Sequence, residues 1–265
     1  MRIKLWLAIV FFWGMVSGCV GGTSPTLTQR PSTPTPTLPS LPTRAPLVVL
    51  YLPEDLLPLQ PALRACAQAE GIAPAFLVGL QDALPSQVDL AFWWGQPPSS
   101  GAWQAYPIGQ ERLAVVAASG RPHRLTTTAV RRMVLGQTTT WPGEVPLALW
   151  LPAPGSGGHR RLRAWLGEAR LRGDAAWAPS PTAMLQVLRH DQAALGFVPA
   201  AWLRYDATAR KDIQQIALAD GFPSSWQAPV LALLPSQPSP WAENLVACLQ
   251  QGRGRALLAP YHEPP

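Results

Sequence analysis

One short stretch of this 265-residue chain has the residue types for ligand chemistry: Gly155-Ser156-Gly157-Gly158, followed at once by His159 and Arg160. A Gly-Ser-Gly turn leading into a helix presents unblocked backbone N–H groups, a hydroxyl and the positive end of the helix dipole to one point, which suits an anion. His159 and Arg160 add donors in the first turn, and Arg160 is the candidate for charge neutralisation, although a helix N-terminus disfavours cations. The competing reading is a glycine-rich connection with both cations solvated. Trp93-Trp94, closing an apolar run from Val88, is the second candidate. Aromatic walls suit apolar or sugar-like ligands, but core packing is the commoner role of Trp. Ser156 does not read as a nucleophile, because Gly155 precedes it and no His lies in a partner motif. The chain has no paired-carboxylate motif, no Gly-Lys-Ser/Thr phosphate cradle and no metal-ligand spacing. It reads as a binder, with no catalytic residue, metal or cofactor.

The elements that must position these residues alternate. Leu47–Tyr51, Val88–Trp94, Leu113–Ala118, Leu147–Leu151, Ala194–Val198, Ile213–Leu218 and Val230–Leu234 are short apolar runs of strand type. Between them, residues 55–70 place Leu56, Leu59, Leu63 and Cys66 on one helical stripe. Thr126 caps a helix carrying Val130, Met133 and Val134, and residues 158–170 bury Leu162, Trp165 and Leu166. Ser180-Pro181 and Ser239-Pro240 each combine an N-cap with a first-turn proline. Such alternation predicts α/β layers with partly parallel sheets.

The N-terminal 46 residues have a different composition. Arg2 and Lys4 precede a short apolar core, Leu5 to Val16, the layout of an export signal and too short for a comfortable membrane span. Val16-Ser17-Gly18-Cys19 resembles the bacterial lipobox, in which cleavage precedes the cysteine and the cysteine is acylated. Residues 1–18 are thus expected to be a lipoprotein signal peptide and Cys19 the lipidated residue. Residues 19–46 are a tether: of positions 23–46, 17 are Ser, Thr or Pro, a composition that cannot bury apolar surface. The chain carries +6 overall, but Arg2, Lys4, Arg30 and Arg44 face no acid in this tail, leaving only +2 on residues 47–265. Nucleic acid is therefore not an expected partner. Cys66 and Cys248 remain, as a disulfide or as two buried thiols; both readings stay open.

An ordered set of motifs spans the folded part. Ile108 to Val116 looks like the crossover strand of periplasmic phosphate-binding proteins. Leu125-Thr126, Val130 to Gly136 and Trp141-Pro142-Gly143 are similar to another segment of that family. Gly155-Ser156-Gly157 resembles its GSGT anion loop, Ala194 to Pro199 its AIGYVP strand, and Ala228 to Leu233 its returning strand. The resemblance implies an α/β, two-lobed, type II periplasmic-binding-protein fold with two crossover strands, following the signal peptide and a disordered linker. Lobe one would combine about 47–112 and 226–265, and lobe two about 113–225. It further implies a monomeric substrate-binding lipoprotein, outside the cytoplasm on a bacterial membrane, taking a small anion such as phosphate or another oxyanion and passing it to an ABC permease. Gly155, Ser156, Gly157, Gly158, His159 and Arg160 would hold that anion, and Trp93 and Trp94 would lie at the cleft mouth.

This chain departs from the family's pattern at the site itself. Gly158 stands where the family has threonine, Pro152 where it has arginine, and Trp93 or Trp94 where it has aspartate. The usual glycine- and serine-rich first loop is Pro53-Glu54-Asp55, and the loop after the second strand is Val78-Gly79-Leu80-Gln81. Residues 111–172 carry ten arginines against three glutamates, so lobe two is a basic body beside a mildly acidic one. A basic cleft wall would concentrate anions, whereas a solvated helix face or a contact with anionic lipid explains the same charges. The expected activity is solute binding at a degenerate anion site, and the alternative is a surface interaction or sensor module that kept the fold without the anion.

Overall fold

A computed structural model describes residues 45–98, 102–206 and 209–259. The expected signal segment, Cys19 and nearly all of the tether lie outside the described residues. The chain divides into two units, Met1–Thr43 and Arg44–Pro265, and the second contains every element named below.

Strand β1 (Leu47–Pro53) leads into a 3-10 turn, Glu54–Leu59, and helix α1 (Gln60–Ala69). Pro53, Pro58 and Pro61 explain the tight lead-in, since each lacks a backbone donor and fixes its own φ. Strands β2 (Ala73–Gly79) and β3 (Leu90–Trp94) pair with β1 on either side, both parallel to it. β3 is buried at all five positions, as a central strand covered on both faces should be. β4 (Trp103–Ala118) follows, and then β5 (Arg124–Leu125) and α2 (Thr127–Val134), whose first turn is capped by Thr126 as expected. β6 (Ala148–Pro152), α3 (Gly157–Leu166), β7 (Ala176–Ala178), α4 (Pro181–His190) and β8 (Ala194–Pro199) complete an alternating run. Two short helices, α5 (Ala200–Tyr205) and α6 (Ala209–Asp212), precede β9 (Ile213–Gln215) and β10 (Ala217–Leu218). The chain returns through β11 (Gln227–Pro235), α7 (Pro240–Gln250) and α8 (Gly252–Leu258).

The sheet order is β2-β1-β3-β11-β4-β8-β6-β7, with β9 also on β4. β4 is the strand that joins its two parts. Its residues Trp103 to Arg112 run antiparallel to β11, and Leu113 to Ala117 run antiparallel to β8. The partner therefore changes between Arg112 and Leu113. A register shift in β11 between Val230 and Leu231 lies beside two strand prolines, Pro107 and Pro229. A bulge tolerates a proline that an uninterrupted central strand would not. Pro107, with Gly109 and the polar residues around them, also explains why only 113–118 of β4 reads as strand from composition. The second connection between the two parts runs from β10 through a 3-10 turn, Ser224–Trp226, into β11.

Helices α1 and α7 are joined by a disulfide between Cys66 and Cys248, 182 residues apart in sequence. α3 stops at Leu166, short of the expected Arg170, because Gly167 takes φ of 63° and ends the helical hydrogen bonding. No helix among the described residues is long and apolar enough to cross a membrane.

Candidate functional site

A cleft of about 380 Å³, its open mouth included, lies where strands from both parts of the sheet end. Pro53 and Gly79 close β1 and β2 on one wall; Pro152, Ala178 and Pro199 close β6, β7 and β8 on the other. Ligands of open α/β sheets bind outside the carboxyl ends of the strands, so this is the expected place for one. The N-termini of α3 and α4, capped by Ser156 and Ser180, also face it. Most of the wall is apolar, with Leu80, Met184 and Phe197 beside the prolines.

The loop Gly155 to Gly158 turns into a helix as the sequence predicts, but its Gly157 and Gly158 N–H groups are already engaged. Ser156 is the N-cap: its Oγ accepts the His159 N–H at 3.1 Å. The Gly158 N–H donates to Asp55 Oδ2 at 3.1 Å, and the Gly157 N–H also favours the ionised Asp55 carboxylate. Asp55 is 4% exposed and comes from the turn after β1, on the opposite wall. The position that the loop would offer an anion therefore holds a carboxylate of the chain itself. Burial pushes the Asp55 pKa up to about 6, while the Gly158 and Gly157 N–H groups and the nearby Arg160 charge pull it back. The Asp55 carbonyl accepts Trp202 Nε1–H of α5 at 3.1 Å, so backbone and side chain of Asp55 both bond to the part of the chain that follows β4.

Gln81 completes this arrangement. Its Nε2 donates to the Trp94 carbonyl at 2.9 Å, whereas its Oε1 is buried without a partner. A Cβ on Gly157 would stand 2.7 Å from a Trp94 ring carbon, 2.8 Å from Gln81 Oε1 and 3.0 Å from Asp55 Oδ2. Glycine is therefore required there by close approach. Glu54, next to Asp55 on the cleft wall, also has a buried oxygen, Oε2, without a partner, and burial raises its pKa.

Arg160 reaches across the cleft, donating through Nη1 to the Gln81 carbonyl and, at 3.3 Å, to the Gly155 carbonyl. Its guanidinium lies 5.0 Å from the centre of the Trp93 ring, a cation–π contact. Arg160 Nη2 is buried without a partner. Trp93 is 5% exposed and donates to the Gln96 carbonyl at 2.6 Å; Trp94 is fully buried and donates to the Glu111 carbonyl at 3.1 Å. Trp94 thus backs the Gly157 turn, and Trp93 supports Arg160; neither lines the cleft. His159 packs edge-on against Trp177 at 5.5 Å, and burial, with Arg163 and Arg160 nearby, lowers its pKa.

The glycine loop was legible in the sequence as a turn into a capped helix, whereas the placing of Asp55, Gln81 and Glu54 beside it was not. A signal for them was present, because Pro53-Glu54-Asp55 and Leu80-Gln81 are where two strand-end loops are expected. What composition could not show was that an acid from one loop would seat on the other's helix. Several arginines of the basic segment have structural partners: Arg131 donates to the Trp165 and Leu166 carbonyls and Arg163 to that of Ala169, holding the end of α3 and the loop after it.

A second buried carboxylate, Glu111, lies on β4 just before the change of partner. Its Oε1 accepts the Arg112 N–H at 2.8 Å and its Oε2 accepts the Ala201 N–H of α5 at 3.3 Å. Burial raises its pKa to about 8 against the pull of those N–H groups and of Arg204. No group of His, Cys, Asp and Glu among the described residues is arranged to hold a metal.

No protein-family profile matches the chain, and no curated protein matches it. Solved structures do. A Clostridium perfringens protein described as a phosphate ABC transporter substrate-binding protein, with bound phosphate, superposes with a TM-score of 0.70 at 12% identity, covering 83% of this chain and 99% of its own. An ABC-type phosphate transport receptor from Vibrio cholerae gives 0.62 at 16% identity, over 82% and 100% of the two chains. The regulatory domain of Synechocystis CcmR, in complex with 2-PG, gives 0.60 at 15% identity, over 77% and 95%. At these identities the likeness establishes architecture, and it agrees with the strand order and the shared strand β4. The chain has the two-lobed α/β fold of the type II periplasmic binding proteins.

Proposed function

We propose that this chain is a lipid-anchored solute-binding domain outside the cytoplasm, closing two lobes over a small organic solute and presenting it to an ABC permease. Lobe one is about 47–112 with 226–265, and lobe two about 113–225, the division following the change of partner along β4. The observation that carries the reading is the cleft at the strand ends of both parts, faced by the capped N-termini of α3 and α4. Two relatives in fold are described as phosphate receptors. Free phosphate is nevertheless not the solute proposed here, because Asp55 sits at the α3 N-terminus. The apolar wall, with unpartnered acceptors on Glu54 and Gln81, favours a solute with an apolar body and hydrogen-bond donors. The Cys66–Cys248 disulfide supports an oxidising compartment.

Thermal unfolding of the full chain with polyols, amino acids and amines, each alone, tests the reading. A true solute at about one hundred times its Kd adds about 2.7 kcal/mol of stability, or roughly 5–10 °C for a domain of this size. No shift with any donor-bearing solute would count against solute capture. It would favour the second reading, a surface sensor or interaction module, which the self-filled anion position supports.

A further inference from the structure

The cleft contains a feature that solute capture alone does not explain. Its most enclosed anion position is occupied before any solute arrives. Asp55 Oδ2 accepts the Gly158 N–H at 3.1 Å across the cleft, and the Gly157 N–H acts on the same carboxylate. The Ser156 Oγ accepts the His159 N–H of its own helix, which fixes the oxygen at the cap and leaves its single O–H as the loop's remaining donor. Gln81, 1% exposed, aims an unpartnered Oε1 at the same place, since that atom and Asp55 Oδ2 lie 2.8 and 3.0 Å from one point above Gly157. An oxyanion entering here would meet two oxygen acceptors. Arg160, the cation that would neutralise it, already spends Nη1 on the Gln81 and Gly155 carbonyls and keeps only Nη2 without a partner.

We propose that Asp55 is a resident ligand: its carboxylate takes the anion position at the start of α3, excludes small oxyanions from it, and holds the two lobes together in place of a solute. This rests on reading the cleft as the ligand site. Three features make Asp55 suited to the task. It sits on a short turn stiffened by Pro53 and Pro58, its side chain crosses to the opposite wall, and its carbonyl accepts Trp202 Nε1–H from that same lobe, which sets the side chain's direction. A free oxyanion dissociates, whereas a tethered carboxylate is always present at high effective concentration. Asp55 is therefore the residue that sets what the cleft refuses.

The test uses the full chain in detergent as wild type, Asp55→Ala and Asp55→Asn, titrated calorimetrically with inorganic phosphate and with sulfate. Wild type should show no binding heat up to about 1 mM anion, and Asp55→Ala should bind at least one of the two about tenfold or more tighter than that limit. Small-angle scattering without ligand should show Asp55→Ala expanded relative to wild type and contracting on anion addition. Should the alanine variant lose its circular dichroism, Asp55→Asn, which keeps the volume and removes the charge, is titrated in its place. Binding of either anion by wild type that Asp55→Ala weakens would overturn the proposal, making Asp55 a contact for the anion. So would the absence of anion binding by the folded variant titrated. Neither arm needs the natural solute, so a failed solute screen and a failed Asp55 test are separate results.

Discussion

Asp55 and Glu111 are buried acids that each accept an N–H group from the start of a helix remote from them in sequence. Their environments are otherwise unlike. Asp55 keeps Arg160 close and its pKa rises only to about 6, whereas Glu111 reaches about 8 because burial outweighs the N–H groups and Arg204. Each acid holds its proton more tightly folded than unfolded. Its stabilising contribution is complete below the unfolded value and is lost as pH climbs through the folded one. For Glu111 that window runs from about 4.5 to about 8. Wild type should therefore lose stability relative to Glu111→Gln across this range, at up to about 1.4 kcal/mol per pH unit, as read by denaturant unfolding at several pH values. Parallel pH profiles for the two proteins would mean that Glu111 does not titrate within this window. Neither acid was legible as a site residue in the sequence. An isolated Asp or Glu carries no pattern, and both roles arise from contacts between segments about 90 to 103 positions apart.

Elements were more legible than contacts. The N-caps Thr126, Ser180 and Ser239 each accept the backbone N–H three residues on, as their positions before apolar stripes predict. Strands β1, β3, β6, β8 and β11 fall on the apolar runs. The pieces that escaped notice include β5, β7, α5 and α6, two to six residues long and too short for a period to develop, and also β2 and α8, whose seven residues each mix apolar positions with proline, glycine or arginine. The cysteines had two readings until the pairing of α1 with α7 decided between them. That bond ties the first helix of the folded unit to one near its end; α1 packs against β2, which with β1 supplies one wall of the cleft, and α7 packs against β4 and β11. A crosslink closing so long a loop restricts the unfolded chain strongly. Replacing Cys66 and Cys248 together by alanine should lower unfolding stability by about 2–4 kcal/mol, measured against wild type under non-reducing conditions. An unchanged denaturation midpoint would mean that the bond constrains little.

At the scale of the molecule, the net charge of +6 divides into a basic tail, a basic run of arginines and a mildly acidic remainder. Two of those arginines hold the end of α3 and the loop after it, Arg131 on the Trp165 and Leu166 carbonyls and Arg163 on that of Ala169, and Arg160 bridges the cleft. The tail's composition carries the anchoring hypothesis. Cys19→Ser should move the protein from the membrane fraction to the soluble one, and immunoblotting of both fractions checks it; an unaltered distribution would exclude lipidation at Cys19 as the anchor. The fold was readable because its motifs come in order along the chain, while the ligand was not, since the residues that decide it are where this chain departs from that order. β4 has one more consequence. Its 16 residues serve two sheets in succession, pairing with β11 up to Arg112 and with β8 beyond it. Neither sheet can dissolve without baring hydrogen-bonding groups on the strand that both share. The stability of one half of the sheet is thereby coupled to that of the other through a single strand.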